Sequence, residues 1–245
     1  MLLSSDQNRR MNLLIIGASR GLGAALALNL PRAGDHLWTV SRTRPEWLEG
    51  EGVTHHWIEA DVSSSGWTAA LTTALGDAVL DAVIYNAGIW EANAFSPDYD
   101  FSQISDFETE RIIAVNLTGA IACARAVLPN LCRSSKGKLV FIGSTSGLEN
   151  SGRPEVAYVA SNFGRRGVAH ALREVLRPDR IAVTCLNLGD IGTIEVKGAE
   201  VSARGFDSRP LLNPKSVLEV MRLVLSLDFS SCIKEIDLPA MTDSL

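Results

Sequence analysis

The sequence predicts an α/β fold: a doubly wound, mostly parallel sheet of about seven strands with helices on both faces. Three observations lead there. Short apolar runs alternate from end to end with longer segments of helical composition. The first of them, Asn12–Ile16, is almost wholly apolar, as a strand buried on both faces requires. The breaks between them are marked by Gly17, Pro31, Gly34 and Asn86-Ala87-Gly88, residues that end strands and helices.

In chain order, Asn12–Ile16 is a short buried strand stopped by Gly17. Residues 22–30 are rich in Ala and Leu, which favour helix. Residues 36–40 form the second strand, and residues 55–58 the third, leading into Asp61-Val62. Residues 68–75 are helical, and residues 80–85 are the fourth strand. A polar and aromatic loop follows over 90–105, then a long helix over 107–131 with Pro129 near its end. Residues 138–142 are the fifth strand, 157–176 a helix and 181–187 the sixth strand. Residues 192–213 read as irregular and polar, 214–227 as a helix and 232–238 as the last strand. Right-handed crossovers put helices on both faces. Ligands of such sheets bind beyond the carboxyl ends of the strands, where the strand order reverses.

The chain has 245 residues, of which 46% are apolar, with a formal net charge of −5. That length and apolar content suit one large domain, here residues 11–245. Residues 1–10 read as a loose polar leader without the apolar stretch of a secretory signal, and Met11 as an alternative start. No basic patch points to nucleic acid, and no wholly apolar run is long enough for a membrane span. The four cysteines (Cys123, Cys132, Cys185, Cys232) lack metal-ligand spacing. They are expected to be reduced, mostly buried thiols in a cytoplasmic protein. His55 and His56, adjacent in a strand, point to opposite faces, and no metal site is expected.

Gly17, Gly21 and Gly23 lie between the first strand and the first helix. Small residues at such a turn let the backbone approach a pyrophosphate, while the helix N-terminus offers free N–H groups and the positive end of its dipole. The ordered set Gly17-Ala18-Ser19-Arg20-Gly21-Leu22-Gly23, Asp61-Val62, Asn86-Ala87-Gly88, Asn116, Ser144 and Tyr158 resembles the motifs of the short-chain dehydrogenase/reductases. The resemblance runs from about residue 12 to residue 238. It implies a Rossmann-type dinucleotide-binding domain, with Asp61 bonding the adenine ring and Asn86-Ala87-Gly88 closing the floor under the cofactor. In Gly189-Asp190-Ile191-Gly192-Thr193 it implies that Thr193 bonds the cofactor carboxamide.

An acid after the second strand would bond the ribose 2′-OH of NAD, whereas an arginine there accommodates the 2′-phosphate of NADP. Here the strand ends Val40-Ser41-Arg42-Thr43-Arg44. Arg20 reaches toward the same place, and a guanidinium suits a phosphate. NADP(H) is therefore expected in preference to NAD(H).

The resemblance also implies a reaction centre. Tyr158 exchanges the proton at the substrate oxygen, Ser144 bonds that oxygen, with Thr145 as the alternative hydroxyl, and Asn116 supports a proton relay. The family's lysine, four residues after the tyrosine, is replaced by Asn162. An amide still donates to ribose hydroxyls but carries no charge. A free phenol titrates near pH ~10, so a tyrosinate at neutral pH needs a shift of roughly three units, or ~4 kcal/mol. Loss of the lysine should therefore hurt alcohol oxidation more than carbonyl reduction. Arg165 and Arg166 lie about two helical turns beyond Tyr158, too far along to be expected as replacements. The chain departs from the family elsewhere too. Ile16 stands where threonine is usual, Tyr85 where asparagine is frequent, and Leu188 where a proline precedes the glycine. Ile236-Asp237-Leu238-Pro239 lacks the usual glycine pair.

The expectation is an NADP(H)-dependent oxidoreductase that reduces a ketone or aldehyde of small-molecule size and assembles as a homodimer or homotetramer. The alternative is a non-catalytic NADP(H)-binding regulatory or scaffold protein. The pocket wall is expected from 90–101, with Trp90, Phe95, Tyr99 and Phe101, and from 194–210.

Overall fold

The computed structural model describes residues 10–46, 52–148, 152–197, 200–204 and 211–243. The leader, apart from Arg10, and residues 198–199 and 205–210 of the expected pocket wall lie outside them. The elements are β1 (Asn12–Ile16), α1 (Gly21–Asn29), β2 (His36–Ser41), β3 (Thr54–Glu59), α2 (Trp67–Leu75) and β4 (Ala82–Tyr85). Then come α3 (Asp106–Ile113), α4 (Gly119–Cys132), β5 (Lys138–Ser144), α5 (Val156–Leu176) and β6 (Ala182–Leu188). The chain closes with β7 (Thr193–Lys197), β8 (Glu200–Arg204), α6 (Pro214–Ser226) and β9 (Glu235–Leu238).

The main sheet has seven strands in the order β3-β2-β1-β4-β5-β6-β9, every pair parallel. The order reverses at β1 and β4, where Ile16 pairs with Tyr85. Alternation along the strands feeds two cores. Leu14 and Ile16 pack with Trp67, Leu71, Ala120, Val127 and Leu176 of α2, α4 and α5. Leu13 and Ile15 pack with Leu26, Val217, Leu218 and Met221 of α1 and α6. Side chains alternate across a strand, so one apolar run serves both layers.

Residues 192–213, expected to be irregular, contain the antiparallel hairpin of β7 and β8, with Val196 opposite Val201. Its inward residues, Ile194, Val196 and Val201, pack against the α1/α6 core. The last strand begins at Glu235, later than expected, and before it the Ile233 carbonyl accepts from the Thr184 hydroxyl. Two of the cysteines, Cys132 and Cys232, are exposed, against the expectation of mostly buried thiols. By length and hydropathy the helical stretch 106–132 would cross a bilayer, but its residues Ile112, Ala120, Cys123, Val127 and Leu131 are fully buried in the fold.

That stretch is also not a uniform α-helix. Ala114–Thr118 is a π turn joining α3 to α4. A π turn frees carbonyl oxygens from the regular ladder, and such turns recur at functional sites. Two are taken up by side chains: Tyr85 Oη donates to Val115 O at 2.6 Å, and Arg165 donates to Asn116 O. Tyr85, an odd residue by sequence, thus has a structural use.

Candidate active site

The glycine turn sits at the carboxyl end of β1. Gly17 N donates to Val40 O at 2.8 Å, and Asn86 Nδ2 donates to Gly17 O at 2.9 Å. The turn, β2 and the floor Asn86-Ala87-Gly88 are thereby one unit. A Cβ on Gly23 would lie 1.9 Å from Gly17 O, so α1 packs under the turn only with glycine there. Gly21 has φ +58 and open space where a Cβ would go. Arg20 makes no side-chain cap at α1, and the first turn of the helix holds no acid. The α1 N–H groups are left for a phosphate. The open space at Gly21 and the uncapped start of α1 fit a pyrophosphate, while Gly17 and Gly23 are held close to Ala87 and to each other.

At the end of β2, the Ser41 hydroxyl is nearly buried and committed, donating to Thr43 O at 2.7 Å and accepting from the Trp57 indole at 3.0 Å. Arg20 and Arg42 are exposed and in no salt bridge among the described residues. Asp61 accepts from the Ser63 amide and hydroxyl. Burial works against its charge, but the Ser63 bonds and the charges of Arg42 and Arg111 outweigh it and lower the carboxyl's pKa. Val62, beside it, packs on the α2/α4 core. Gly189 passes so close to β9 that a Cβ would meet Pro239 Cα at 2.7 Å, and Asp243 accepts from the amide of Asp190. Ile191 is half-buried and Thr193 is exposed at the start of β7.

Ser144 ends β5, its hydroxyl accepting from Ser146 N at 3.1 Å. Tyr158, in the first turn of α5, faces that hydroxyl. Thr145, the alternative, is buried in the following turn. Burial pushes the Tyr158 pKa above its ordinary value. The Ser144 hydroxyl, the charges of Arg165 and Arg153 and the Asn162 amide pull the other way without cancelling it. Trp90 and Phe95 stand edge-on to the Tyr158 ring at centroid distances of 6.3 and 5.5 Å. Phe95 has φ +64, a backbone region that non-glycine residues rarely adopt. Its amide donates to the buried Glu155 carboxylate at 2.8 Å.

Asn116 lies in the π turn. Its side chain is fully engaged, donating to Ile89 O and Ser161 Oγ and accepting from Ile89 N. Asn162 donates from Nδ2 to Tyr158 O at 3.0 Å. Arg166 turns away, to Gly147 O and Glu235. Arg165 is 3% exposed and bonds Ala87 O, Asn116 O and Ile142 O, tying the end of β5 and the π turn to Asn86-Ala87-Gly88. Two further residues were missed by sequence reasoning. Glu91, fully buried, accepts from the amides of Ala157 and Tyr158 and fixes the start of α5. Glu155 holds Phe95 as described. An acid at the head of a helix was the available signal.

The family model for short chain dehydrogenases matches residues 11–203. The 3-oxoacyl-[acyl-carrier-protein] reductase FabG of Aggregatibacter actinomycetemcomitans is 33% identical over 191 residues, 74% of this chain and 76% of that one. An uncharacterized oxidoreductase of Myxococcus xanthus is 30% identical over 217 residues, 85% and 81% of the two chains. An alcohol dehydrogenase from the archaeon Thermococcus sibiricus, complexed with 5-hydroxy-NADP, shares the fold with a TM-score of 0.75 at 22% identity, covering 97% of this chain and 99% of that one. The chain belongs to the short-chain dehydrogenase/reductase family and is an NAD(P)-dependent oxidoreductase.

Proposed function

We propose that the protein uses NADPH to reduce a ketone or aldehyde, with Tyr158 donating the proton and Ser144 bonding the carbonyl oxygen. The observation that carries this reading is the packing of α5, which holds Tyr158, against the turn that follows Ser144, where a Cβ on Gly147 would meet the Asn162 backbone at 2.9 Å. Bound NADPH supplies the hydride. Tyr158 is a neutral acid at physiological pH, the form that carbonyl reduction needs. Ser144 stabilises the developing negative charge on oxygen. Asn116 clamps Ile89 and Ser161, and thereby holds the loop after β4 against α5. Asn162 stands where the ribose contact is made in the family. The exposed Arg20 and Arg42 favour the 2′-phosphate of NADPH, and a neighbouring fold is a short-chain oxidoreductase in complex with NADP. Trp90 and Phe95, both partly exposed beside Tyr158, favour a substrate with apolar groups flanking the carbonyl. Exposed Ile121 on α4 and Phe163 on α5 support a homodimer or homotetramer.

A second reading follows from Asn162, whose amide is turned to its own helix: a non-catalytic NADP(H)-binding regulatory or scaffold protein. NADPH oxidation measured against a panel of ketones and aldehydes separates the two. Turnover of a panel member supports the reductase. Tight NADPH binding with no turnover across the panel supports the second reading.

A further inference from the structure

The helix that carries Tyr158 is capped from outside itself. Glu155, at the N-cap of α5, makes no side-chain bond to its own helix. It is 1% exposed, and its Oε1 accepts instead from the amide of Phe95, in the loop after β4, at 2.8 Å. That loop returns the bond. Glu91, fully buried, accepts through Oε1 from the amides of Ala157 at 2.8 Å and Tyr158 at 3.3 Å. The Tyr99 hydroxyl accepts from the amide of Val156 at 3.1 Å. The first three amides of α5, which a helix cannot satisfy from within, are therefore all held by side chains of one loop. A carboxylate at this end of a helix is also favoured by the helix dipole. The same loop sets two rings against the Tyr158 ring: Trp90, next to Glu91, at 6.3 Å and Phe95 at 5.5 Å, with 5.6 Å between those two. Phe95 has φ +64, a strained backbone that persists only where its surroundings enforce it.

We propose that Glu91 is a positioning residue for the reaction: with Glu155 it forms a reciprocal latch that fixes Tyr158 and the rings of Trp90 and Phe95 as one unit. The inference rests on the reading of Tyr158 as the proton donor, with Trp90 and Phe95 as the wall against which the substrate lies. Glu91 acts through the backbone of Tyr158 and need not touch substrate. A helix start fixed by its own N-cap would leave the loop free to shift against Tyr158. Exchanged carboxylates do not. The loop cannot leave without uncapping α5, and the first turn of α5 cannot shift without releasing Phe95. Either movement strands a buried carboxylate, which costs more than the loss of one ordinary hydrogen bond. The latch matters to chemistry because proton transfer demands close placement, and a displacement of about 1 Å lowers a rate by about 100-fold.

The three tyrosines of the chain, Tyr85, Tyr99 and Tyr158, allow a test by fluorine NMR of the protein labelled with 3-fluorotyrosine, in which Tyr158→Phe assigns the Tyr158 resonance. It needs no substrate, so it stands or falls apart from the search for turnover. Glu91→Ala should move the Tyr158 resonance toward that of the unfolded chain, while the fully buried Tyr85 keeps its position. Glu91→Gln should restore the Tyr158 resonance, because Oε1 goes on accepting and Oε2 has no partner among the described residues to lose. A Tyr158 resonance unmoved in a Glu91→Ala protein that folds overturns the proposal. With a carbonyl substrate found by screening, Glu91→Ala should lower the single-turnover rate about 10- to 100-fold with NADPH affinity unchanged. A rate that falls only in step with NADPH affinity marks a general loss of structure and overturns the proposal equally. Should Glu91→Ala fail to fold, amide hydrogen exchange in the unmodified protein decides. The Phe95 amide is held by Glu155 and the Tyr158 amide by Glu91, so one opening of the latch releases both. Their protection, corrected for intrinsic rates, should agree within about tenfold, and a larger difference overturns the proposal.

Discussion

Gly17 lies so close to Ala87 that a Cβ on Gly17 would sit 2.9 Å from both the Cα and the backbone nitrogen of Ala87. The glycine turn and the segment Asn86-Ala87-Gly88 are therefore in backbone contact, and no side chain can be placed between them.

Gly17→Ala should consequently fail on two counts. Its φ of +84 is strained for alanine, at a cost of about 1–2 kcal/mol, and the added methyl displaces Ala87. The melting temperature should fall and NADPH affinity should drop at least about tenfold, the equivalent of 1.4 kcal/mol. Calorimetry and fluorescence titration check both.

In the proposed reading cofactor choice rests on the exposed arginines Arg20 and Arg42, because the Ser41 hydroxyl is occupied by Trp57 and Thr43. Arg42→Ser and Arg20→Ser should each weaken NADPH binding by about tenfold, the size of one charged hydrogen bond. NADH binding should stay level in both. Parallel titrations of the two cofactors measure this, and equal losses for both would place these arginines elsewhere. Ser41→Asp should move the preference toward NADH by repelling the phosphate, with some loss of stability because the carboxylate cannot donate to Thr43 O.

Asn162→Lys adds a cation near a phenol whose pKa is held high by burial. A nearby positive charge favours the ionised phenol, lowering its pKa by about one unit or more. Alcohol oxidation requires that ionised form, so its rate should rise at neutral pH and the limb on which it climbs with pH should move to lower pH. Reduction should change less. Single-turnover rates at saturating cofactor show the asymmetry, which equilibrium hides in the ratio of overall efficiencies.

Much of this architecture is legible in the sequence because burial leaves a simple trace. Parallel strands covered on both faces are mainly apolar, and residues 13–16, Ala82–Tyr85 and residues 139–142 are, while β6 carries Thr184 and Asn187 among its apolar residues. The hairpin of β7 and β8 was obscured by its half-exposed surface. Its signal was present: Thr193-Ile194-Glu195-Val196-Lys197 and Glu200-Val201-Ser202-Ala203-Arg204 alternate polar and apolar residues at the period of a strand. The π turn left no pattern in the sequence. It becomes visible only through Tyr85 and Arg165, the side chains that take its freed carbonyls.

The most direct test of the central claim is Tyr158→Phe, which removes one hydroxyl and leaves the ring in its contacts with Trp90 and Phe95. With a carbonyl substrate found by screening, the single-turnover rate of NADPH oxidation should fall about 100-fold or more, the usual worth of a placed general acid. NADPH affinity should change little, because the phenol hydroxyl is not part of the glycine turn. A variant that binds NADPH normally and reduces the same carbonyl at the unmodified rate would contradict Tyr158 as the proton donor.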